Sequence, residues 1–275
     1  FGAPYNIRGR AWGLRSLAHA TFLTPDALAW KAAGKTSISA NVSYLDGWRT
    51  DSKALLNAMW DDAPTDPVDG YGTVGGFGQA LWMYHYLITE LHKTASANLL
   101  TGSSQTAIDT LADWCALQPV RWVNEQANGG WRYVPYVTVM GRDETTIDSL
   151  SDWGAQMDYW MADAPPSVSG TWMAHDGTDL YSDGTTAGNG GANYASYFWS
   201  ALVAAADRGV AGAATAWNAV LAGITNLATW RGGFASDPRW GSTPLNPPGF
   251  ALGADVGSLV GDVWTPGRTT PTRTT

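Results

Sequence analysis

Apolar residues recur at helical spacing along most of the chain. Between Gly70 and Trp114, residues Phe77, Leu81, Tyr84, Leu87, Ile88 and Leu91 fall on one stripe. A break of small residues holding Gly102 follows, and Ser103 or Ser104 is placed to cap a second helix. Ala107, Ile108, Leu111 and Trp114 form the inward stripe of that second helix. The stretch predicts a helical hairpin: a glycine-rich lead-in, an aromatic helix, a short turn, and a second helix closing on Trp114. Pro119 ends or kinks the helix just beyond.

The plan returns twice. Gly190 and Gly191 lead into an aromatic-then-alanine helix that runs to Arg208. A break at Gly209 to Gly212 separates it from a second helix, Ala213 to Trp230. The N-terminal segment is a weaker copy: a helix from Arg10 to Phe22 with Trp12, Leu14, Leu17 and Ala18 inward, then a Thr24-Pro25-Asp26 signal. Pro25 suits the first position of the next helix. That helix covers the region from 26 to 60, weakened at Gly34 and Gly47. Leu45-Asp-Gly-Trp48, Leu111-Ala-Asp-Trp114, Leu150-Ser-Asp-Trp153 and Leu227-Ala-Thr-Trp230 echo one another. Repeated hairpins mark stacked or ring-closed helical architectures. The plainer alternative is that any helical chain rich in Ala and Trp looks self-similar.

Between the hairpins the pattern changes. Asp61 to Gly72 holds four Asp and two Pro and reads as a loop. Trp131 to Met140 is rich in β-branched and aromatic residues and predicts a strand, which Pro135 restricts to an edge or a bulge. Thr145 or Thr146 is placed to cap a helix running to about Ala162, stopped by Pro165-Pro166. Residues 165 to 192 form the longest insertion without regular structure, a length that usually signals function or disorder. Trp172, Leu180 and Tyr181 argue for order. Residues 231 to 264 are expected to wrap back over the helices. The domain reading is one unit over 1–264, followed by a Thr/Pro-rich linker or tail at 265–275.

Composition narrows the function classes. At 45% hydrophobic and 15% charged, the 275 residues can build a large core. The net charge of −8 and pI near 4.8 disfavour duplex nucleic acid and anionic membrane surfaces as partners. No run reaches the ~20 apolar residues that span a bilayer. The single cysteine, Cys115, excludes an internal disulfide and argues against a cysteine-rich zinc site. It is expected to be a buried free thiol. The 16 Trp, 11 Tyr and 6 Phe exceed what the helical stripes use. Several rings lie in polar, glycine-rich segments instead.

No strong catalytic signature is present: no phosphate-binding glycine loop, no paired-cysteine spacing, no Gly-x-Ser-x-Gly elbow. Gly72-Thr-Val-Gly-Gly-Phe-Gly78 lacks a preceding strand and suits close helix approach better than phosphate. The three glutamates are Glu90, Glu125 and Glu144. Glu144, with Asp148, sits at a predicted helix start, where the dipole alone favours carboxylates. A glycosidase needs two carboxyl groups across a sugar ring, and Glu144 or Asp148 with Asp176 could supply them. His175-Asp176 can act as a proton shuttle, although Asp-Gly also reads as a turn. These four are the candidate catalytic residues. Trp131, Tyr133, Trp172 and Tyr181 are candidates for stacking on sugar faces, with Asn124, Asn128, Asp179 and Asp183 near for hydroxyls. Packing of the loop onto the helices explains the same rings equally well. Tyr84 and His85 could face a central cleft, though a satisfied core position is the commoner fate of a helical histidine.

The hairpin plan, inner aromatic helices and glycine-rich loops over residues 10 to 240 resemble the (α/α)-toroid class of carbohydrate-active proteins. The resemblance is architectural; no family catalytic motif is matched residue by residue. It implies an all-α fold of repeated hairpins forming an (α/α) toroid or partial barrel, with a short β-like insertion and long glycine-rich loops. It implies a secreted or extracellular glycoside hydrolase or polysaccharide lyase, with a glycan in an acidic, aromatic groove. No cofactor and no metal are expected, nor nucleic acid or membrane insertion. The tail can link further domains or support self-assembly. The alternative function is a non-catalytic structural module of a virion, an extracellular filament or a cell-surface assembly.

Overall fold

The computed structural model describes residues 7–49, 56–58, 78–79, 81–126, 133–135, 138–139, 152–155, 170–172 and 194–223. Three helical hairpins make up most of it: α1 (Ile7–Leu23) with α2 (Ala29–Arg49), α3 (Leu81–Ser96) with α4 (Gly102–Asn124), and α5 (Tyr194–Asp207) with α6 (Ala213–Gly223). The first helices pack in a row, α1 on α3 and α3 on α5. The second helices form a row beside it, α2 on α4 and α4 on α6, and α4 also reaches α5. The described residues are therefore mainly helical, as the sequence predicts.

In α1 the buried stripe is Ile7, Ala11, Leu14 and Ala18. Trp12 lies roughly 140° from the centre of that stripe at 3.6 residues per turn. It is 53% exposed rather than inward, and Leu17 is only partly buried. The α1–α2 turn also differs from expectation. Pro25 belongs to the turn, its carbonyl accepting from Leu28 N at 3.1 Å, and α2 opens four residues later at Ala29. Lys31 closes the turn, donating to Thr24 O at 2.9 Å and Phe22 O at 3.3 Å, and pairing with Asp26 at 3.2 Å. Its charge sits at the negative end of α1, where a cation is favoured.

Three residues expected to weaken or end helices lie within them. Helix α2 runs through both Gly34 and Gly47. A Cβ on Gly34 would lie 2.1 Å from Thr21 Oγ1, so glycine there permits the close approach of α1 and α2. Helix α4 continues past Pro119 to Asn124. The proline costs one backbone N–H, but Ile108, Leu111, Ala112, Cys115, Val120, Trp122 and Val123 are buried on both sides of it. Burial of that many side chains outweighs the break. Trp114 is consequently half-buried in mid-helix and does not close the hairpin. The Leu-x-x-Trp echo thus marks different positions in different helices: mid-helix at Trp114, the last turn of α2 at Trp48.

The turns have clear causes. Thr101 is the N-cap of α4 without a side-chain cap bond; Ser104 lies inside the helix, and its Oγ is 2.9 Å from Ser39 Oγ on α2. After α5, Gly209 takes φ +65°, with Gly209 N donating to Ala206 O and Val210 N to Ala205 O. These two bonds form the glycine C-cap that satisfies the last carbonyls of a helix. Arg208 then clamps α5 to α4, reaching Asp109 Oδ1 at 3.2 Å and Asp113 Oδ1 at 2.5 Å.

Among the described residues the strand content is small. β1 (Gly78–Gln79) pairs antiparallel with β3 (Thr138–Val139). β2 (Tyr133–Pro135) pairs antiparallel with β4 (Gly170–Trp172), and both lie against α5. Strand formation near 131–140 is as predicted, with Pro135 in a ladder that is two-stranded among the described residues. Strand β4 falls inside the stretch expected to lack regular structure. A helical turn begins at Trp153, capped by Asp152 Oδ1, which accepts from Ala155 N at 2.6 Å. The expected capping residues Thr145 and Thr146 lie outside the described residues, as do residues 224–275 and the predicted tail.

Gly34→Ala should destabilise the protein by about 2 kcal/mol, through the forced separation of α1 and α2. Gly47→Ala, whose Cβ would meet nothing within 4 Å, should instead be neutral or stabilise by up to about 1 kcal/mol. Urea denaturation of both variants measures the difference; equal effects would contradict the close approach at Gly34.

Candidate functional site

The first helices of the three hairpins run parallel. Trp12 meets Tyr86 near their starts and His92 meets Asp207 near their ends. The row α1–α3–α5 therefore has a starting end and a finishing end, and the two differ in chemistry.

The starting end carries rings and arginines. The Arg8 guanidinium lies 6.0 Å from the Trp82 ring, and Trp82 is 5.4 Å from Tyr197. Tyr197 meets Tyr86 edge-on at 6.1 Å, and Tyr86 meets Trp12 at 5.8 Å. Arg15 closes the series, 5.3 Å from the Trp12 ring and donating from Nη1 to Tyr86 Oη at 3.3 Å. Arg8 and Trp12 are exposed, Trp82, Tyr197 and Arg15 half-buried, and Tyr86 buried. Burial raises the pKa of the Tyr86 hydroxyl, with Arg15 pulling the other way. The result is a continuous aromatic face held by tilted and edge-on packing, with a guanidinium at each end.

The finishing end holds a cavity of about 660 Å³ between α1, α3 and the last residue of α5. His19, Phe22, Glu90, His92 and Asp207 line it. His92 Nε2 is 3.6 Å from Asp207 Oδ2, and the buried Glu90 carboxylate accepts from Lys93 Nζ at 2.9 Å. Among the described residues no group of three or more His, Cys, Asp or Glu side chains is placed to hold a metal ion.

Between the two ends the polar groups are structural. Tyr84 Oη donates to Asn57 O at 2.6 Å, and burial holds its pKa well above the usual range. His85 Nε2 is 2.9 Å from Gln118 Oε1, and its ring meets Phe198 edge-on at 5.3 Å. Burial lowers its pKa to about 3, so the ring is neutral at working pH. Burial pushes the Cys115 thiol up to about 12, which makes it unreactive, in line with the expected buried free thiol. Glu125 is also a structural carboxylate. It accepts from Arg121 Nε at 2.6 Å and from Trp153 N at 2.9 Å, fixing Trp153 edge-on against Trp122.

The candidates read from sequence separate into three groups. Tyr84 and His85 are fully buried in α3 and present no surface to a groove. Tyr133 and Trp172 are brought directly opposite each other as partners in the β2–β4 register. Trp131, Tyr181, Glu144, Asp148, His175 and Asp176 lie outside the described residues. The arginine-flanked face was not anticipated. Its signal in the sequence is the ring near the start of each first helix, Trp12, Trp82 and Tyr197, with Arg8 and Arg15 beside the first. No protein-family model, curated protein or solved structure matches this chain. No helix among the described residues is long and apolar enough to cross a membrane.

The burial of His85 has a pH consequence. The unfolded chain binds a proton near pH 6.5 that the folded protein refuses until about 3, so stability must fall as pH drops through that window. Urea unfolding between pH 7 and 4 should show a slope of up to about 1.4 kcal/mol per pH unit from this residue. His85→Gln should remove that contribution; an unchanged slope would mean that His85 is protonated in the folded state.

Proposed function

We propose that the three hairpins belong to a closed (α/α) toroid with long glycine-rich loops. In this reading the chain is a secreted carbohydrate-active domain that binds and cleaves a polysaccharide, as a glycoside hydrolase or a lyase. The observation that carries the reading is the aromatic–arginine face at the starting end of α1, α3 and α5. Rings offer apolar faces to the C–H faces of sugars, and guanidinium groups donate paired hydrogen bonds to hydroxyls or carboxylates. The arginines also place local positive charge on a protein of net charge −8, which suits an acidic sugar unit. The Tyr133–Trp172 pair adds two more rings to the proposal, since β2 lies against both α3 and α5. Glu144, Asp148, His175 and Asp176 remain the proposed acid and base groups.

One observation favours the second reading, a non-catalytic structural module. The large apolar residues exposed among the described residues, Trp12, Phe22, Leu23, Leu28, Trp30 and Tyr44, all belong to the first hairpin and its turn. Apolar surface collected on one side suits association more than a soluble enzyme surface.

Glycan-array binding and product release from plant, microbial and algal polysaccharides separate the two. Trp12→Ala and Trp172→Ala should each weaken glycan binding tenfold or more while leaving Tm nearly unchanged. Binding that survives both substitutions would remove the rings from the site. Glu144→Gln should abolish reducing-end release or formation of unsaturated sugar; full activity would exclude Glu144 as the acid. Absence of binding to every glycan would favour the structural module.

A further inference from the structure

The cavity at the finishing end has a carboxylate in its wall that is only half satisfied. Glu90 lines the cavity from α3, with its side chain 2% exposed. Lys93 Nζ donates to Glu90 Oε1 at 2.9 Å. The second oxygen, Oε2, accepts from no described residue, and it is not sealed inside protein. A buried carboxylate oxygen without a donor is costly, and one beside a cavity has room to gain a donor from a ligand. A second buried carboxylate, Asp207, lines the same cavity from the end of α5. The rest of the lining includes the methyl groups of Ala18 and Ala97 and the exposed ring of Phe22.

The arrangement does not suit a proton shuttle. His92 turns Nε2 toward Asp207 at 3.6 Å, beyond hydrogen-bond distance, and its Nδ1 is closed off in protein without a partner among the described residues. Neither ring nitrogen is offered to a substrate. What the cavity suits is positive charge carried on an apolar chain. Glu90 and Asp207 outnumber Lys93, and α3 and α5 both bring their negative ends here. Lys31, at the end of α1, is already engaged by Thr24 O, Phe22 O and Asp26. The Phe22 ring can cover methylene groups or take a cation on its face. A volume of about 660 Å³ is far more than a lone ammonium fills and lies in the range of small-molecule sites.

We propose that this cavity binds a linear polyamine. One ammonium donates to Glu90 Oε2, a second to Asp207, and the methylene chain runs along Ala18, Phe22 and Ala97. Lys93 is then a tethered ammonium that already occupies half of the Glu90 position. Its side chain is 53% exposed and its i,i+3 pairing is of the weak surface kind, so it swings aside readily. The site lies at the opposite end of α1, α3 and α5 from the ring–arginine face, so it does not rest on the glycan reading.

Calorimetric titration of the whole chain with spermidine, at about 150 mM salt to screen loose attraction, tests the proposal. The native protein should bind one spermidine. Glu90→Gln and Asp207→Asn should each weaken binding about tenfold or more, whereas Lys93→Gln should tighten it by removing the internal competitor. Asp46→Asn removes an equal charge at the far end of α2 and should leave binding unchanged. Nα-acetyl-lysine amide, with one ammonium, should bind about tenfold more weakly than spermidine. Absence of spermidine binding by the native protein would overturn the proposal. So would equal losses at Asp46 and Glu90, which would show general attraction to an acidic protein. Equal affinity for the lysine amide would overturn the two-carboxylate site. Should Glu90→Gln unfold, Lys93→Gln decides, because that change is at an exposed side chain: weaker or unaltered binding there would sink the proposal.

Discussion

The structure depends on the enclosure of one helix. Every residue of α3 from Tyr84 to Leu91 is buried, because α1, α4 and α5 surround it. Each fully buried Leu, Ile or Tyr contributes on the order of 2 kcal/mol, so this helix holds much of the apolar stabilisation of the array. Enclosure also explains the polar residues on α3. Thr89 Oγ1 donates to His85 O, Thr94 Oγ1 to Glu90 O, and Glu90 takes Lys93. A helix surrounded by protein must satisfy its polar side chains locally, and these do so within one turn.

Because α3 is central, its two ends govern the chemistry on either side. At its start Trp82 and Tyr86 are the links that join the rings of α1 to those of α5. At its finish Glu90, His92 and Lys93 line the cavity with His19 and Asp207. The middle, which contains the Tyr84 and His85 of the sequence reading, is closed. Burial alone moved those two residues from candidate site to core. A ring on a helix is available to ligand only where neighbouring helices diverge or end.

The repeat explains a different asymmetry. Hairpin α3–α4 is covered on both sides, by α1–α2 and by α5–α6, whereas the described structure places a hairpin on only one side of α1–α2. Among the described residues, the exposed large rings and leucines collect on that first hairpin and its turn. Shape and composition thus agree on where this molecule offers apolar surface.

Helix placement, the three hairpins and much of the core were legible in the sequence, since 3.6-residue periodicity and glycine breaks act locally. Leu81, Tyr84, Leu87, Ile88 and Leu91 are buried as their spacing requires. Where local rules met close packing, the rules yielded. Gly34 and Pro119 stay within helices because the cost of each is smaller than the burial gained around it. Trp12 points outward because the angle of the whole α1 stripe, set by α3, decides its direction. The pairing of Tyr133 with Trp172 joins segments 39 residues apart. Sequence spacing carries no distance information over that range; only the packing of α3 and α5, against which β2 lies, brings the two strands together.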